Sequence, residues 1–197
     1  SHCSILVSGF RNKIINGQGL VNQRSYVSGT ATTQANQYTV DRWRVVTSGQ
    51  NLTFSTTNNV VTFTAPAGGV EQVVEGLNME SGTYALSWTG TATATVSSAS
   101  VNTSVSNGGN VNLVGGQNVI VRFSSGTFSL PKLEKGTTAT PFEYRPIGTE
   151  LALCQRYYYA PYNYYSSPGA NNNQVGTLIS LATTTVAYCS VNMPVPM

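Results

Sequence analysis

The sequence predicts an all-β protein: an antiparallel jelly-roll β-sandwich followed by the start of a second small β unit. Short runs alternate hydrophobic and polar residues and are rich in β-branched residues, whereas no long run follows the 3.6-residue period of a helix. Turns rich in glycine and asparagine separate these runs at short spacing. That spacing is typical of a sandwich or a jelly roll.

The first clear element is a hairpin in "QNLTFSTTNNVVTFTAPA". Phe54 and Phe63 each sit in an alternating run, and the two runs meet at Asn58-Asn59. Asparagine tolerates the positive φ angles of a tight hairpin turn, so this pair is expected at the tip. One face of the hairpin should be buried.

Further strands follow along the chain. In "GTYALSWTGTATATV" the residues Tyr84, Leu86 and Trp88 share one side, and "NVNLVGGQNVIVRFSSGTFSLPKLE" contains three short strands separated by Gly115-Gly116 and Ser125-Gly126. The alternation predicts that the core of residues 12–146 buries six aromatic residues: Trp43, Phe54, Phe63, Trp88, Phe123 and Phe128.

The best helix candidate is "GTELALCQRYY". Thr149 is expected to cap it, and Leu151 and Cys154 lie three residues apart on one face. Two prolines and a glycine lie in "TPFEYRPIGTE", and we expect a boundary near residues 146–150. The predicted organisation is a leader or linker over 1–11, the sandwich over 12–146, and over 147–197 a short helix with tyrosine-rich strands of a unit that we expect to be truncated.

The composition limits the classes of function. Charged residues are 9% of 197, the net charge is +3, and the basic residues are scattered, so we expect no nucleic-acid partner. No run approaches the roughly 18 apolar residues of a membrane span, and we expect no membrane insertion. Solubility must come from hydroxyl and amide side chains, which suits proteins that meet glycans or pack against their own copies.

The titratable residues argue against an enzyme. The single histidine, His2, lies near the start of the chain, and Asp41 is the single aspartate, so a catalytic triad is not expected. On one strand Glu71 and Glu75 would stand about 13 Å apart, beyond the roughly 6.5–9.5 Å of inverting glycosidases. We interpret the glutamates as surface partners of arginines, and expect no catalytic residue, cofactor or metal ion.

Cys3, Cys154 and Cys189 are an odd number of cysteines at wide spacing. They match neither a disulfide framework nor a zinc site. Buried free thiols in a reducing cytosol are the favoured interpretation, and a Cys154–Cys189 bridge is the alternative.

Two aromatic groups are candidates for ligand binding. In "DRW", Trp43, Asp41 and Arg42 would form a sugar platform, in which an indole stacks on a pyranose ring while a carboxylate and a guanidinium bind hydroxyls. The favoured interpretation is a core tryptophan beside a local turn or ion pair.

The second group is the run "LALCQRYYYAPYNYY". Tyrosine offers a large contact area with few rotors and a polar tip, which suits sugar surfaces and interfaces. Tyr157 to Tyr159 are expected to serve core and assembly. Tyr162, Tyr164 and Tyr165 are the candidates for an exposed ligand patch, with a subunit interface as the alternative.

Four segments together resemble the carbohydrate-binding-like (galactose-binding-like) jelly-roll modules of bacteriophage tail fibres and receptor-binding proteins. They are "NKIINGQGLVNQRS" at 12–25, "YTVDRW" at 38–43, "VEQVVEGL" at 70–77 and "LPKLEKGTTATPFEYRPIGTELALCQRYY" at 130–158. The last is the most specific. Related modules sometimes hold a structural calcium near the opening strand, but Gln18, Gly19, Leu20 and Asn22 provide no acidic ligand there.

The resemblance implies a noncatalytic virion module, assembled in the host cytoplasm, that attaches the tail to a bacterial surface glycan such as capsule or lipopolysaccharide. Other virion tail proteins would be its partners. The fibre symmetry implies a homotrimer, for which Leu153, Tyr157 and Tyr158 are the predicted seam residues. Two alternatives stay open: a structural spacer or trimerisation domain of a fibre, and an accessory module of a polysaccharide-degrading enzyme.

Overall fold

Two antiparallel sheets form a β-sandwich in the computed structural model, which describes residues 10–160. The strands of the first sheet, in spatial order, are β1 (Gln37–Tyr38), β2 (Arg44–Val45), β5 (Val70–Val74), β10 (Val119–Ser124), β7 (Thr93–Ser97) and β8 (Asn102–Val105). Those of the second are β3 (Thr53–Thr57), β4 (Val60–Ala65), β11 (Gly126–Lys135), β6 (Gly82–Thr89) and β9 (Asn110–Leu113). A 3-10 turn spans Gly76–Asn78, and helix α1 spans Ile147–Gln155. The all-β prediction is confirmed; the jelly-roll connectivity stays a prediction.

The hairpin of β3 and β4 is confirmed. Phe54 pairs with Phe63 across it, and Asn58 and Asn59 at the tip have φ angles of 50° and 59°. Both values lie in the left-handed region that a two-residue type I′ turn requires and that asparagine tolerates. Local turn chemistry therefore explains the register of these two strands.

The core lies between the sheets and is centred on Trp43. Its ring lies 5.2 Å from Phe128, 6.0 Å from Phe63 and 6.1 Å from Phe123, measured between centroids. Phe123 and Phe128 stack on each other at 4.3 Å. Five of the six predicted core aromatics are buried.

The sixth, Phe54, is only partly buried and packs against the edge of the core. The predicted burial of Phe54 was therefore wrong in degree. The reason is that β3 is an edge strand of the five-stranded sheet, so only one neighbouring strand helps to cover its side chains.

A bulge divides β11 into two parts. Residues Gly126 to Phe128 pair with β4, and the pairing with β6 shifts its register between Ser129 and Lys132. Leu130 within the bulge has a φ of 51°, which is unusual for a branched side chain. Bulges redirect side chains and bend strands, and this one occurs where the five-stranded sheet bears a groove on its outer face.

Helix α1 confirms the predicted helix but corrects its start. It begins at Ile147, directly after Pro146, and no side chain caps it. Thr149 is therefore an ordinary first-turn residue rather than the cap. The fixed φ of proline favours helix initiation at this point and explains the difference.

Candidate functional site

The residues of "DRW" are interior residues. Trp43 has no exposed surface, and its indole Nε1 donates to the backbone carbonyl of Asn16 at 3.2 Å. Asp41 is 1% exposed and accepts hydrogen bonds from the backbone and side chain of Gln23. Burial raises the pKa of Asp41, against the lowering effect of the Gln23 bonds. The sugar platform at Trp43 and Asp41 is therefore wrong, because a pyranose cannot stack on a fully enclosed indole.

Asn16 is the centre of a polar junction that holds the opening segment. Its side-chain Nδ2 donates to the carbonyls of Val21 at 2.8 Å and Asp41 at 2.9 Å, and its Oδ1 accepts from the backbone N–H of Val21 at 3.0 Å. Its φ of 56° suits asparagine. Gly19 follows with a φ of 73°, and an added Cβ would lie 2.6 Å from Phe63.

The helix is fixed to the same junction by a buried ion pair. Glu150 is 6% exposed, accepts the backbone N–H of Asn16, and lies 3.2 Å from Arg145. Arg145 also donates to the carbonyls of Asn12 and Ile14. We call Asn16, Asp41, Trp43, Arg145 and Glu150 the Asn16 junction; it joins residues from 12–25, 38–43 and 130–158.

The predicted seam tyrosines lie against arginines of the sandwich. The guanidinium carbon of Arg42 lies 3.5 Å from the ring centroid of Tyr157, and that of Arg24 lies 3.6 Å from the ring centroid of Tyr158. Burial raises the pKa of Tyr157 and lowers that of Arg42. These stacks occupy one face of each ring within the chain.

Helix α1 therefore packs against the sandwich. Arg156 pairs with Glu75 at 2.6 Å, and Cys154 is buried in the helix interface. Burial raises the pKa of the Cys154 thiol, which keeps it protonated and unreactive. The second unit itself stays a prediction, since Tyr162, Tyr164, Tyr165 and Cys189 lie outside the described residues.

Leu153 lines an open cavity of about 420 Å³ at the end of the sandwich. Phe10, Ile15 and Leu77 add apolar surface to its lining, and the rest of the lining is polar or charged: Asn12, Lys13, Asn78, Glu80 and Arg145. Leu77 is 92% exposed.

A second cavity, of about 430 Å³, lies on the outer face of the five-stranded sheet; we call it the outer groove. Ser87 and Thr89 of β6 alternate with the core residues Leu86 and Trp88, so their side chains point away from the core. The lining residues are Ser87, Trp88, Thr89, Leu130, Pro141, Phe142 and Tyr144.

Two aromatic rings form the wall of the outer groove. Phe142 and Tyr144 meet edge to face with centroids 5.1 Å apart, and Tyr144 is 59% exposed. Within residues 10–160, the hydroxyls of Ser87, Thr89 and Tyr144 have no hydrogen-bond partner. The groove thus combines exposed aromatic surface with three free hydroxyls.

Buried charges hold this wall in place. Lys132 is 2% exposed and donates to Thr140 Oγ1 at 2.6 Å and to the Pro141 carbonyl at 2.9 Å. Glu134, 3.1 Å from Lys132, accepts the Thr140 backbone N–H at 2.6 Å. Burial alone would raise the pKa of Glu134, but the Thr140 bonds and Lys132 outweigh it and lower that pKa.

No sequence pattern pointed directly to the outer groove. Trp88 was predicted as core, which is correct because it packs edge to face on Phe123 at 5.3 Å. "TPFEYRP" was interpreted as a boundary, although it supplies Phe142 and Tyr144. The available signal was the pair Phe142 and Tyr144, two aromatic residues spaced by two in a segment that belongs to no predicted core strand.

The carboxylates have structural partners. Glu71, expected at the surface, is 1% exposed and bridges Arg44 at 2.5 Å and Arg122 at 2.7 Å. Glu134 and Glu150 are buried too, so the surface interpretation was wrong for three of the six glutamates, although their pairing with basic residues was correct. Among residues 10–160, no three His, Cys, Asp or Glu side chains cluster as metal ligands would.

Comparisons with protein-family models, with curated proteins and with solved structures found no match to this chain. In the part of the chain that the structure describes, α1 and the 3-10 turn are too short to span a bilayer.

Proposed function

We propose that this chain is a noncatalytic glycan-binding module of a bacteriophage tail fibre, which attaches the virion to bacterial surface polysaccharide. The observation that carries the proposal is the outer groove. Tyr144 offers an exposed ring for the C–H face of a pyranose, and the free hydroxyls of Ser87 and Thr89 lie beside it. Sugar-binding surfaces combine aromatic contact with hydroxyl partners in this way.

The virion location rests on the sequence resemblance, and the noncatalytic character on the state of the carboxylates. Glu71, Glu134 and Glu150 are each buried and paired with a basic side chain, where they serve the fold. None of these three carboxylates lines the outer groove.

A panel of bacterial capsule and lipopolysaccharide glycans tests the proposal. The whole chain should bind a subset of the panel, and Tyr144→Ala should reduce that binding at least tenfold. Thr89→Val should also weaken it, whereas Thr103→Val, an exposed threonine on β8, should not. Depolymerisation of any bound glycan, or binding indifferent to Tyr144→Ala, would contradict the proposal.

A second candidate function is assembly of a fibre, as a homotrimeric spacer. The exposed apolar side chains of Phe10 and Leu77, at the cavity that Leu153 also lines, favour it, because exposed apolar patches commonly mark interfaces. Of the predicted seam residues, Leu153 lines this cavity, whereas Tyr157 and Tyr158 already pack on arginines.

Light scattering at micromolar concentration separates the two functions. Leu77→Ser should shift an assembled particle toward monomer and leave glycan binding intact. Tyr144→Ala should leave the particle assembled and weaken glycan binding. If the wild-type chain is a monomer, this cavity is not sufficient to drive assembly.

A further inference from the structure

We propose that the outer groove is specific for uncharged sugar residues and discriminates against uronic acids and other acidic sugars. This inference rests on the proposed glycan-binding function and names the class of ligand. It follows from the chemistry of the lining and from the position of every nearby charge.

No charged side chain lines the outer groove. Its residues are two hydroxyl amino acids, three aromatic residues, a leucine and a proline. Strand β6, which forms the floor, contains no charged residue along its whole length, Gly82–Thr89. A carboxylate placed in the groove would therefore lose water without gaining a counter-charge, and that desolvation is costly.

The charges on the other two elements already have partners. On β11, Lys132 pairs with Glu134, whose carboxylate also lies 4.0 Å from Arg11, and Lys135 pairs with Glu80 at 2.5 Å.

The segment that bears the aromatic wall carries two charges. Arg145 pairs with Glu150, and Glu143 accepts the backbone N–H of Arg11 at 3.3 Å. Neither Glu143 nor Arg145 is among the residues that line the groove.

The available polar groups suit sugar hydroxyls. The hydroxyls of Ser87, Thr89 and Tyr144 each both donate and accept, as a sugar hydroxyl does, whereas a carboxylate only accepts and would use half of that capacity. Leu130, Pro141 and Phe142 add apolar surface for the C–H face of a pyranose ring. A neutral sugar residue matches both the hydroxyl groups and the apolar surface of the lining.

Matched polymers test the specificity directly. An acidic polysaccharide, polygalacturonate, is compared with the same polymer after chemical reduction of its carboxylates to hydroxymethyl groups, alongside neutral bacterial polysaccharides that the wild type binds. Neutral ligands should bind with an affinity that changes less than twofold between low salt and about 1 M salt, where the Debye length is about 3 Å. Polygalacturonate should bind at least tenfold more weakly than the best neutral ligand, and reduction should not weaken its binding.

A gain of charge sharpens the test. Thr89→Lys places a cation at an exposed position of the groove and should raise the affinity for polygalacturonate, with strong salt dependence, while lowering that for neutral ligands. Wild-type binding of acidic polymers that is stronger than neutral binding and is lost in Tyr144→Ala would overturn the specificity but keep the proposed function. Binding of no glycan would overturn both.

Discussion

The Asn16 junction and the outer groove differ in how completely their polar groups are used. At the junction, the Asn16 amide makes three hydrogen bonds, the Trp43 indole donates inward, and Glu150 faces Arg145. In the groove, the hydroxyls of Ser87, Thr89 and Tyr144 have no partner within residues 10–160. The first region is nearly saturated, since among its side-chain polar atoms only the buried Arg145 Nε has no partner in the described part of the chain, and the second has three free hydroxyls left for a ligand.

The junction holds segments that are distant in sequence together, whereas the groove leaves side-chain hydroxyls unpaired among the described residues. Residues of "NKIINGQGL", "YTVDRW" and "FEYRPIGTE" meet one another at the junction, across as many as 134 residues of chain. Such residues stabilise the fold. The groove uses common residue types, and its chemistry comes from their placement on one outer face.

The largest expected effect is on stability at the junction. Asn16→Ala removes three buried hydrogen bonds at about 1 kcal/mol each and puts alanine at a φ of 56°, so the free energy of unfolding should fall by about 3–4 kcal/mol. Urea unfolding measures the loss. Asn102→Ala, at an exposed position of edge strand β8, is the control and should change it by less than about 0.5 kcal/mol. Equal losses of stability in the two variants would show that the hydrogen bonds of the Asn16 junction contribute no more than an exposed side chain does.

The next effect links stability to the groove wall. Lys132→Met leaves the buried Glu134 without this cation and removes the donor to Thr140 Oγ1 and to the Pro141 carbonyl, while Thr140 keeps its bonds to Glu134. We expect a loss of about 3 kcal/mol of stability, together with weaker glycan binding as the aromatic wall loosens. Lys135→Met, which breaks an exposed pair with Glu80, is the matched control and should leave binding unchanged. Full binding by a folded Lys132→Met variant would show that the wall needs no such support.

Acid should expose the contribution of Glu134. Its folded-state pKa lies below the unfolded value of about 4.3, so the stability it provides is present above that pH and is lost as the pH falls through the folded-state pKa. The Glu134→Gln variant lacks this titration. The gap between wild-type and variant urea midpoints should therefore narrow between about pH 6 and about pH 3. A gap that widens on acidification would contradict the direction of the shift.

A smaller effect should couple the two regions. An added Cβ at Gly17 would lie 3.1 Å from Phe142 Cε2 and 3.1 Å from the Pro131 carbonyl. Gly17→Ala should therefore displace Phe142 slightly, costing about 1 kcal/mol of stability and weakening glycan binding a few-fold. Gly148→Ala, where an added Cβ meets open space, is the matched control and should leave binding unchanged.

The sequence predicted features that depend on neighbours along the chain. The Asn58-Asn59 turn, the alternation of Tyr84, Leu86 and Trp88, and a helix near residue 150 follow from local patterns, and the structure has all three. The burial of Glu71 between Arg44 and Arg122 was not predictable, because these residues come from three strands. The outer groove was missed for the same reason, since the placement of Tyr144 depends on a buried lysine and a bulge in β11.

The most direct test of the account is a map of amide chemical shifts during titration with glycan. A nitrogen-15-labelled chain is titrated with oligosaccharide fragments of a neutral surface polysaccharide that it binds. The largest changes should fall at Ser87, Thr89, Phe142 and Tyr144, and should vanish in the Tyr144→Ala variant. Those at Asn16, Asp41 and Glu150 should be small, since the polar side-chain atoms of these three residues already have hydrogen-bond partners. Changes concentrated at Asp41, Arg42 and Tyr157, with none at β6, would contradict the assignment of binding to the outer groove.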